Sequence, residues 1–362
     1  MDFDLNDDQQ ALRDGAHELL EGLAPIAGVR RVVEAGGGLD RDLWLGMVEQ
    51  GWLGVALAEA DGGLGLGWVE LAVLLEAVGR HVAPVPFLTQ VLAIDALVRA
   101  GSGERVESLL GGETLACVAW SKASGAVTAS ADGAGWRLSG RSDPTLFAPS
   151  AHLAIVVADS SEGPALFSVE LDDATRPPAE PAMDRTRELG WLRLDGVAAE
   201  RLGGSEAVDA LVDRGATGVA AEMLGGADRV LEMSVEYAKD RIQFGKPIGS
   251  FQAVKHRCAD MLVDVEGMRS SAYWAAWCLA AGDHDASVAA STAKVWGSDA
   301  SRRVMASGLQ VHGGIGFTWE HDLHLFLKRA QLDQLTFGDA AYHRERLAGL
   351  LRPRVEAGES VI

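Results

Sequence analysis

The spacing of apolar positions changes character twice along the chain. At the start, Leu5, Gln9, Leu12 and Leu19 begin an amphipathic helical pattern, with Asn6 or Asp7 available as its N-cap. LWLGMVEQGWLGVALAEADGGLGLG predicts a helix, a short apolar run and a glycine-rich loop. WVELAVLLEAVGRHVAPVPFL predicts a strongly apolar helix ending near Gly79, with Pro84 and Pro86 beyond it. From Glu113 the texture turns to short runs rich in strand formers: LACVAW, AVTASA, GWRLSGR, LAIVVA, ALFSVEL and LGWLRLDGV. Gly, Ser and Asp turns separate them, which predicts a small β barrel or sandwich. From Gly204 the helical period returns and holds to the end. Met223, Gly225, Gly226, Val230 and Leu231 lie on the first long helix, and the Ala-rich runs Ala275 to Ala281 and Ala286 to Ser298 suit close helix packing. The expected fold class is therefore α+β, with an N-terminal α-helical domain over 1–112, a middle β domain over 113–203 and a C-terminal helical domain over 204–362.

Composition narrows the partners. The chain has 362 residues, 48% hydrophobic, enough for a sizeable core in two or three subdomains. Its net charge of -20 argues against nucleic acid and anionic membrane surfaces. A phosphate-bearing ligand must then be met by local cations such as Arg241 and Lys246. Cys117, Cys258 and Cys278 are scattered without metal spacing, so free thiols in a reducing, cytoplasmic setting are expected. The acidic start MDFDLNDDQQ is unlike a signal peptide, and no apolar run reaches spanning length.

Two stretches carry candidate chemistry. In Glu236 to Asp260, helical sequence runs through Val230, Leu231, Ser234, Tyr237 and Ala238 and is then stopped by Gly245 and Pro247. A second apolar run opens at Gln252. Arg241 and Phe244 thus stand at a sharp corner between two helices. Arg can offer a fork of donors to a phosphate, and Phe an apolar face to a ring. Taken alone, the same residues fit a surface Arg and a core Phe. In Leu309 to Phe317, LQVHGGIGF, Gly313, Gly314 and Gly316 allow close backbone approach to a ligand, although the spacing is neither GxGxxG nor a Walker loop.

Taken together, R-x-x-F-G-K-P-I-x-x-F-Q followed by a long helical stretch and Q-V-H-G-G-I-G-F resembles the acyl-CoA dehydrogenase family. The resemblance covers nearly the whole chain, including the helical, β, helical order and the Glu59 to Gly67 turn. It implies four long C-terminal helices stacked as a bundle beside the N-terminal helical domain, with the β domain between. It implies α,β-dehydrogenation of an acyl-CoA thioester: a glutamate removes the α-proton while hydride leaves the β-carbon for flavin N5. It also implies FAD at a subunit interface, with electron-transfer flavoprotein as acceptor. In the family one subunit's β domain holds the isoalloxazine ring, and the neighbour's Arg-x-x-Phe-Gly and Gln-x-x-Gly-Gly segments hold the ADP half. The resemblance assigns that second role to Arg241, Phe244, Gly245, Gln310, Gly313 and Gly314.

Elsewhere the sequence departs from the family pattern. The family's Thr-Glu-Pro stretch is replaced by VAWSKASGA, and the Trp of its Trp-x-Thr falls on Asp143, followed by Pro144 and Thr145. The usual base position falls on Phe337 and the alternative one on Gly215, so no catalytic residue stands at either site. Asp339 is a weak candidate and Asp213 a weaker one. The leading expectation is a base-lacking subunit that completes a flavin site with a catalytic acyl-CoA dehydrogenase-like partner, as in α2β2 members that often act on steroid side chains. The alternatives are an active homo-oligomer, dimer or tetramer, using a displaced carboxylate, and a flavin-free binding or structural protein on the same scaffold. His312, His321, His324 and His343 are irregularly spaced and lack acidic or Cys partners, so no metal site is expected. Lys294, Lys328, Arg329 and Arg344 read as solvated helix faces, with CoA contacts as the alternative, and the ten tryptophans mostly as core and hairpin residues.

Overall fold

The computed structural model describes residues 4–133 and 135–360. Its helices and strands are, in chain order, α1 (Asp7–Leu23), α2 (Ile26–Glu34), α3 (Arg41–Glu49), α4 (Trp68–Arg80), α5 (Phe87–Arg99), α6 (Val106–Leu110), β1 (Ala116–Ala119), β2 (Val127–Asp132), β3 (Gly135–Leu146), β4 (Leu153–Ser160), β5 (Gly163–Glu170), β6 (Leu189–Gly203), α7 (Ser205–Asp240), β7 (Ile242–Gln243), β8 (Lys246–Pro247), α8 (Gln252–Ala281), α9 (Ala286–His312), α10 (Leu323–Leu335) and α11 (Ala340–Glu356). The order is helical, β-rich, helical, as the apolar pattern predicts. Close contacts group the described chain into two compact units: Met1–Ile26, Trp68–Ala83 and Ala216–Ile362 in the first, Ala27–Gly67 and Pro84–Gly215 in the second. The boundary between the last two segments falls within α7.

In the second unit the six strands form one sheet in the order β1-β4-β2-β3-β6-β5, and β4 also pairs with β5. That extra pairing closes β2, β3, β6, β5 and β4 into a ring, with β1 added parallel to β4 through Ala116↔Leu153 to Ala119↔Val156. The choice between barrel and sandwich is thereby settled as a barrel, since only closure removes the sheet edge. Leu192 and Leu194 face the barrel core with Val127, Leu138, Val156 and Phe167, while Arg193 between them is exposed. β3 runs five residues further than the strand-like stretch ending at Arg141, so Asp143, Pro144 and Thr145 lie in the strand. A bulge between Arg141 and Pro144 absorbs the irregular register against β6. Gln90 stitches α5 to β1: its side-chain amide donates to the Leu109 and Thr114 carbonyls and accepts from the Ala116 N–H.

In the first unit α1 starts at a capping box, Asn6 with Gln9, and packs on α4. Helices α4 and α7 touch backbone to backbone. A Cβ at Gly225 would stand 1.8 Å from the Glu76 carbonyl oxygen, and one at Gly79 1.9 Å from that of Glu222. The helical C-terminal region has three long helices, of 36, 30 and 27 residues, and two shorter ones of 13 and 17. Helix α9 packs against α8, α10 and α11, with its small residues Ala289, Ala290, Ala293, Gly297, Ala300 and Gly308 buried. Two of the four cations read as solvated are in fact core residues. Lys294 is completely buried, and Arg329 is buried beside Glu222, donating to the carbonyls of Val82 and Ala83. A helical period does not show which cations lie on the inner face when Ala and Ser leave room for them. Lys328 is half-buried with its ammonium 4.8 Å from the Trp319 ring, and Arg344 is exposed and paired with Asp299. Among the described residues no helix is long and apolar enough to cross a membrane.

Candidate functional site

Helix α7 ends in the corner that the sequence marks. β7 and β8 form a two-stranded hairpin, pairing Ile242 with Pro247 and Gln243 with Lys246. Its two-residue turn is Phe244 and Gly245, with φ of +53° and +77°. Left-handed backbone at both central positions matches the twist of a tight hairpin. Phe244 pays a steric cost for it, and its side chain is 92% exposed rather than in a core. Its ring meets Phe251 edge-on at 6.1 Å, and the Lys246 ammonium lies 4.5 Å from the Phe251 centroid. Arg241 is exposed at the base of the hairpin.

The second stretch stands at the same end of the helical unit. Gln310 is exposed on the last turn of α9, and Gly313, at φ +61°, ends the helix. A Cβ at Gly313 or Gly314 would meet nothing within 4 Å, so the backbone there is open to a ligand. The link to the hairpin is aromatic: Tyr237, one helical turn before Arg241, stacks on His312 at 4.7 Å and 25°, and His321 meets His312 edge-on at 4.6 Å. Nδ1 of His312 donates to the Gly308 carbonyl at 2.8 Å, and burial lowers the His312 pKa. The fixed imidazole thus ties the end of α9, which carries Gln310, Gly313 and Gly314, to the end of α7, which leads into Arg241, Phe244 and Gly245. An exposed guanidinium and an uncrowded glycine backbone are suited to phosphate oxygens.

The two positions to which the family resemblance assigns a base, Phe337 and Gly215, hold no carboxylate. Phe337 sits in the turn between α10 and α11 with φ +53° and its ring only 5% exposed. Asp339 is spent on structure: it is the N-cap of α11, its carboxylate accepting from the Tyr342 N–H at 2.8 Å. Gly215 is buried inside α7 and has no side chain to offer. Nearby, Asp213 is buried, and Arg214 pairs with Asp95 at 3.1 Å, burial lowering the Arg214 pKa.

On the barrel, Asp143 is exposed, and its N–H donates to the Ser121 hydroxyl at 2.9 Å. The Thr145 hydroxyl is buried and donates to the Asp143 carbonyl. An aromatic ring does stand close by on β6: Trp191, opposite Pro144, with the Arg141 guanidinium 4.4 Å above its ring. The histidines weighed as metal ligands are occupied otherwise. His321 accepts from the Leu323 N–H, His324 stacks on Trp319, and His343 donates to the Phe337 carbonyl. Sequence reasoning missed Lys294, whose buried amine reaches the Phe337 turn. The available signal was a single cation inside an otherwise small and apolar run of α9.

This geometry sits in an acyl-CoA dehydrogenase fold. A family model for the acyl-CoA dehydrogenase N-terminal domain matches residues 6–112, and one for the C-terminal domain matches residues 203–351. Acyl-CoA dehydrogenase FadE27 of Mycobacterium tuberculosis is 33% identical over 325 residues, spanning 85% of this chain and 87% of that one. A chain of the ChsE4–ChsE5 complex from Mycobacterium tuberculosis superposes with a TM-score of 0.91 at 31% identity, covering 97% of this chain and 99% of that one. A variant of the Tcur3481–Tcur3483 steroid ACAD gives the same TM-score at 32% identity and the same coverage. The chain belongs to the acyl-CoA dehydrogenase family of FAD-dependent oxidoreductases and is related to steroid ACAD subunits of heteromeric complexes.

Proposed function

We propose that this chain is the base-lacking subunit of a heteromeric acyl-CoA dehydrogenase. It contributes the ADP-half site for FAD, through Arg241, Phe244, Gly245, Gln310, Gly313 and Gly314, to a catalytic partner subunit that supplies the proton-abstracting carboxylate. When bound, the flavin accepts hydride from the β-carbon of the acyl-CoA thioester. The residues of this chain have a different task. Arg241 offers charge-assisted hydrogen bonds to the pyrophosphate, the open glycine backbone at 313–314 allows close approach, and Phe244 offers an apolar surface to a neighbouring chain. The observation that carries the reading is Phe337, a buried ring on left-handed backbone, at the position to which the family resemblance assigns the base. A carbon ring cannot accept a proton, and Asp339 two residues on is turned into a helix cap.

Support for a heteromeric partner comes from the likeness to chains of the two steroid complexes. In this reading the substrate is an acyl-CoA thioester with a bulky, steroid-like acyl group, electron-transfer flavoprotein is the acceptor, and the assembly works in the cytoplasm, where free Cys117, Cys258 and Cys278 stay reduced. The test is co-expression with acyl-CoA dehydrogenase-like chains followed by flavin quantitation. The chain alone is expected to retain little FAD, because its barrel lacks the family Trp and Thr-Glu-Pro elements, and a matched pair is expected to retain FAD. A purified homo-oligomer holding about one FAD per chain overturns the proposal.

A further inference from the structure

Three backbone carbonyls at the end of α10 and in the turn to α11 are gripped from behind by two buried side chains. The Lys294 amine, on α9, donates to the Gly338 carbonyl at 2.7 Å and the Gln334 carbonyl at 3.0 Å, with the Ser298 hydroxyl 3.5 Å away. Nε2 of His343, on α11, donates to the Phe337 carbonyl at 2.8 Å. Both side chains are completely buried. Around them the turn is over-determined. Gly338 has φ +95°, and a Cβ there would lie 2.4 Å from the Tyr342 ring. Asp339 caps α11. Phe337 has φ +53°, which a bulky residue keeps only when its surroundings force it.

We infer that Lys294 and His343 are positioning residues for the 334–339 turn, holding Phe337 as a fixed apolar wall at the position where the family carries its base. The inference rests on the proposed reading of that position. An unheld turn would lose these donors to the Gly338, Gln334 and Phe337 carbonyls and release the left-handed Phe337 to relax.

The chemistry of the amine makes the grip independent of its charge. Burial lowers the Lys294 pKa to about 7, against the raising influence of Asp333 on α10 and Asp339 at the start of α11. As an ammonium it donates to both carbonyls and to Ser298. As a neutral amine it still donates to both carbonyls and accepts from the Ser298 hydroxyl. The remaining groups facing it are on α11: His343, whose pKa burial lowers to about 4 and which stays neutral, and Arg346 behind His343. A purely ionic role toward Asp333 and Asp339 would fade as pH rises past 7, whereas a hydrogen-bonded grip would not.

The test is hydrogen exchange on the full chain, read at the Thr336 and Gly338 amides, which donate to the carbonyls of Leu332 and Leu335. Wild-type protection, corrected for intrinsic exchange, is expected to hold or rise, and not to fall, from about pH 6 to 8, because burial holds the folded Lys294 pKa below its unfolded value. Lys294→Met, which keeps length and removes the donors, is expected to speed exchange at both amides by about tenfold or more. His343→Leu is expected to do the same, and His343→Gln, which keeps an N–H, to stay within about threefold of wild type. If Lys294→Met does not fold, the His343 pair decides by the same criterion. Wild-type exchange in Lys294→Met or His343→Leu, or protection that collapses above pH 7, overturns the inference. That result is separate from the base-lacking reading, which stands or falls on flavin content and turnover of the assembled enzyme.

Discussion

At the scale of single residues, what a side chain does here follows from burial more than from type. Arg241 and Arg329 carry the same charge, yet one is exposed beside a glycine turn and the other is sealed in the core. Arg241→Ala is expected to lower FAD affinity of the assembled protein about ten- to hundredfold or slightly more, since a charge-assisted contact contributes roughly 1.5–3 kcal/mol. Flavin titration of the assembly checks this, and unchanged affinity would return Arg241 to an ordinary surface role. Lys294 gives a stability prediction with a definite sign. Its folded pKa of about 7 lies below the usual 10.5, so between those values the unfolded chain binds the extra proton. Stability is therefore expected to rise with pH from about 7 to about 10.5 by this group, its charging penalty being fully present below that window. His343, lowered from 6.5 to about 4, acts in the same direction over that lower range. Urea midpoints of wild type minus Lys294→Met, taken across pH 7 to 9, isolate the Lys294 slope, and equal slopes in the two proteins would mean that the amine stays charged in the fold. The motif residues were legible as letters, because Arg-x-x-Phe-Gly and Gln-x-x-Gly-Gly need particular side chains. Lys294 and Arg329 were not, because nothing local says which face of a helix is inner.

At the scale of elements, local pattern was enough to find most of the structure. The six strand-like runs became six strands, and the Asn6 cap, the end of α4 next to Gly79 and the Gly245–Pro247 corner lie where period and turn chemistry put them. Two features needed tertiary pairing. β3 continues past Arg141, where the strand-like run ends, because β6 supplies partners up to Leu189, and the ring closes only because β4 finds β5. The α4–α7 crossing shows what sequence spacing leaves out. Glycines inside helices usually weaken them, but Gly225 and Gly79 let two backbones approach to a distance no side chain permits. Gly225→Ala is expected to cost about 3 kcal/mol or more, since a methyl group would overlap the Glu76 carbonyl and the helices must part. Gly15→Ala, on exposed α1 with nothing near its Cβ, is expected to gain roughly 0.5–1 kcal/mol. Chemical denaturation of both measures the difference, and equal effects would show that the crossing has slack.

At the scale of the whole molecule, the question is where the proton goes. In the proposed reading this chain's ADP-half site is built from the ends of α7 and α9, while the two positions to which the family resemblance assigns a base carry a ring and a hydrogen atom, at Phe337 and Gly215. In the proposed assembly those facts fit together: flavin contacts are contributed across an interface, so a subunit can be needed for FAD while doing no acid–base chemistry itself. Two carboxylates near the empty positions make the idea testable. Asp339→Asn removes basicity but keeps the α11 cap, because Asn and Asp cap helices about equally well, so the turn should survive. Asp213→Asn likewise keeps size at a buried position of α7. If the partner subunit holds the base, both variants should lower dehydrogenation by the full assembly less than about threefold, far short of the loss of a true general base, on the order of 10²–10⁴ in rate. Turnover is to be measured at saturating acyl-CoA with FAD content determined on the same samples, so that lost flavin is not mistaken for lost chemistry. A fall of a hundredfold or more in Asp339→Asn at full FAD occupancy, about the least that removal of a base should cost, would move the base into this chain. It would require the Asp339 carboxylate to leave the Tyr342 N–H on substrate binding, and the helper-subunit reading would give way to an active enzyme with a displaced carboxylate.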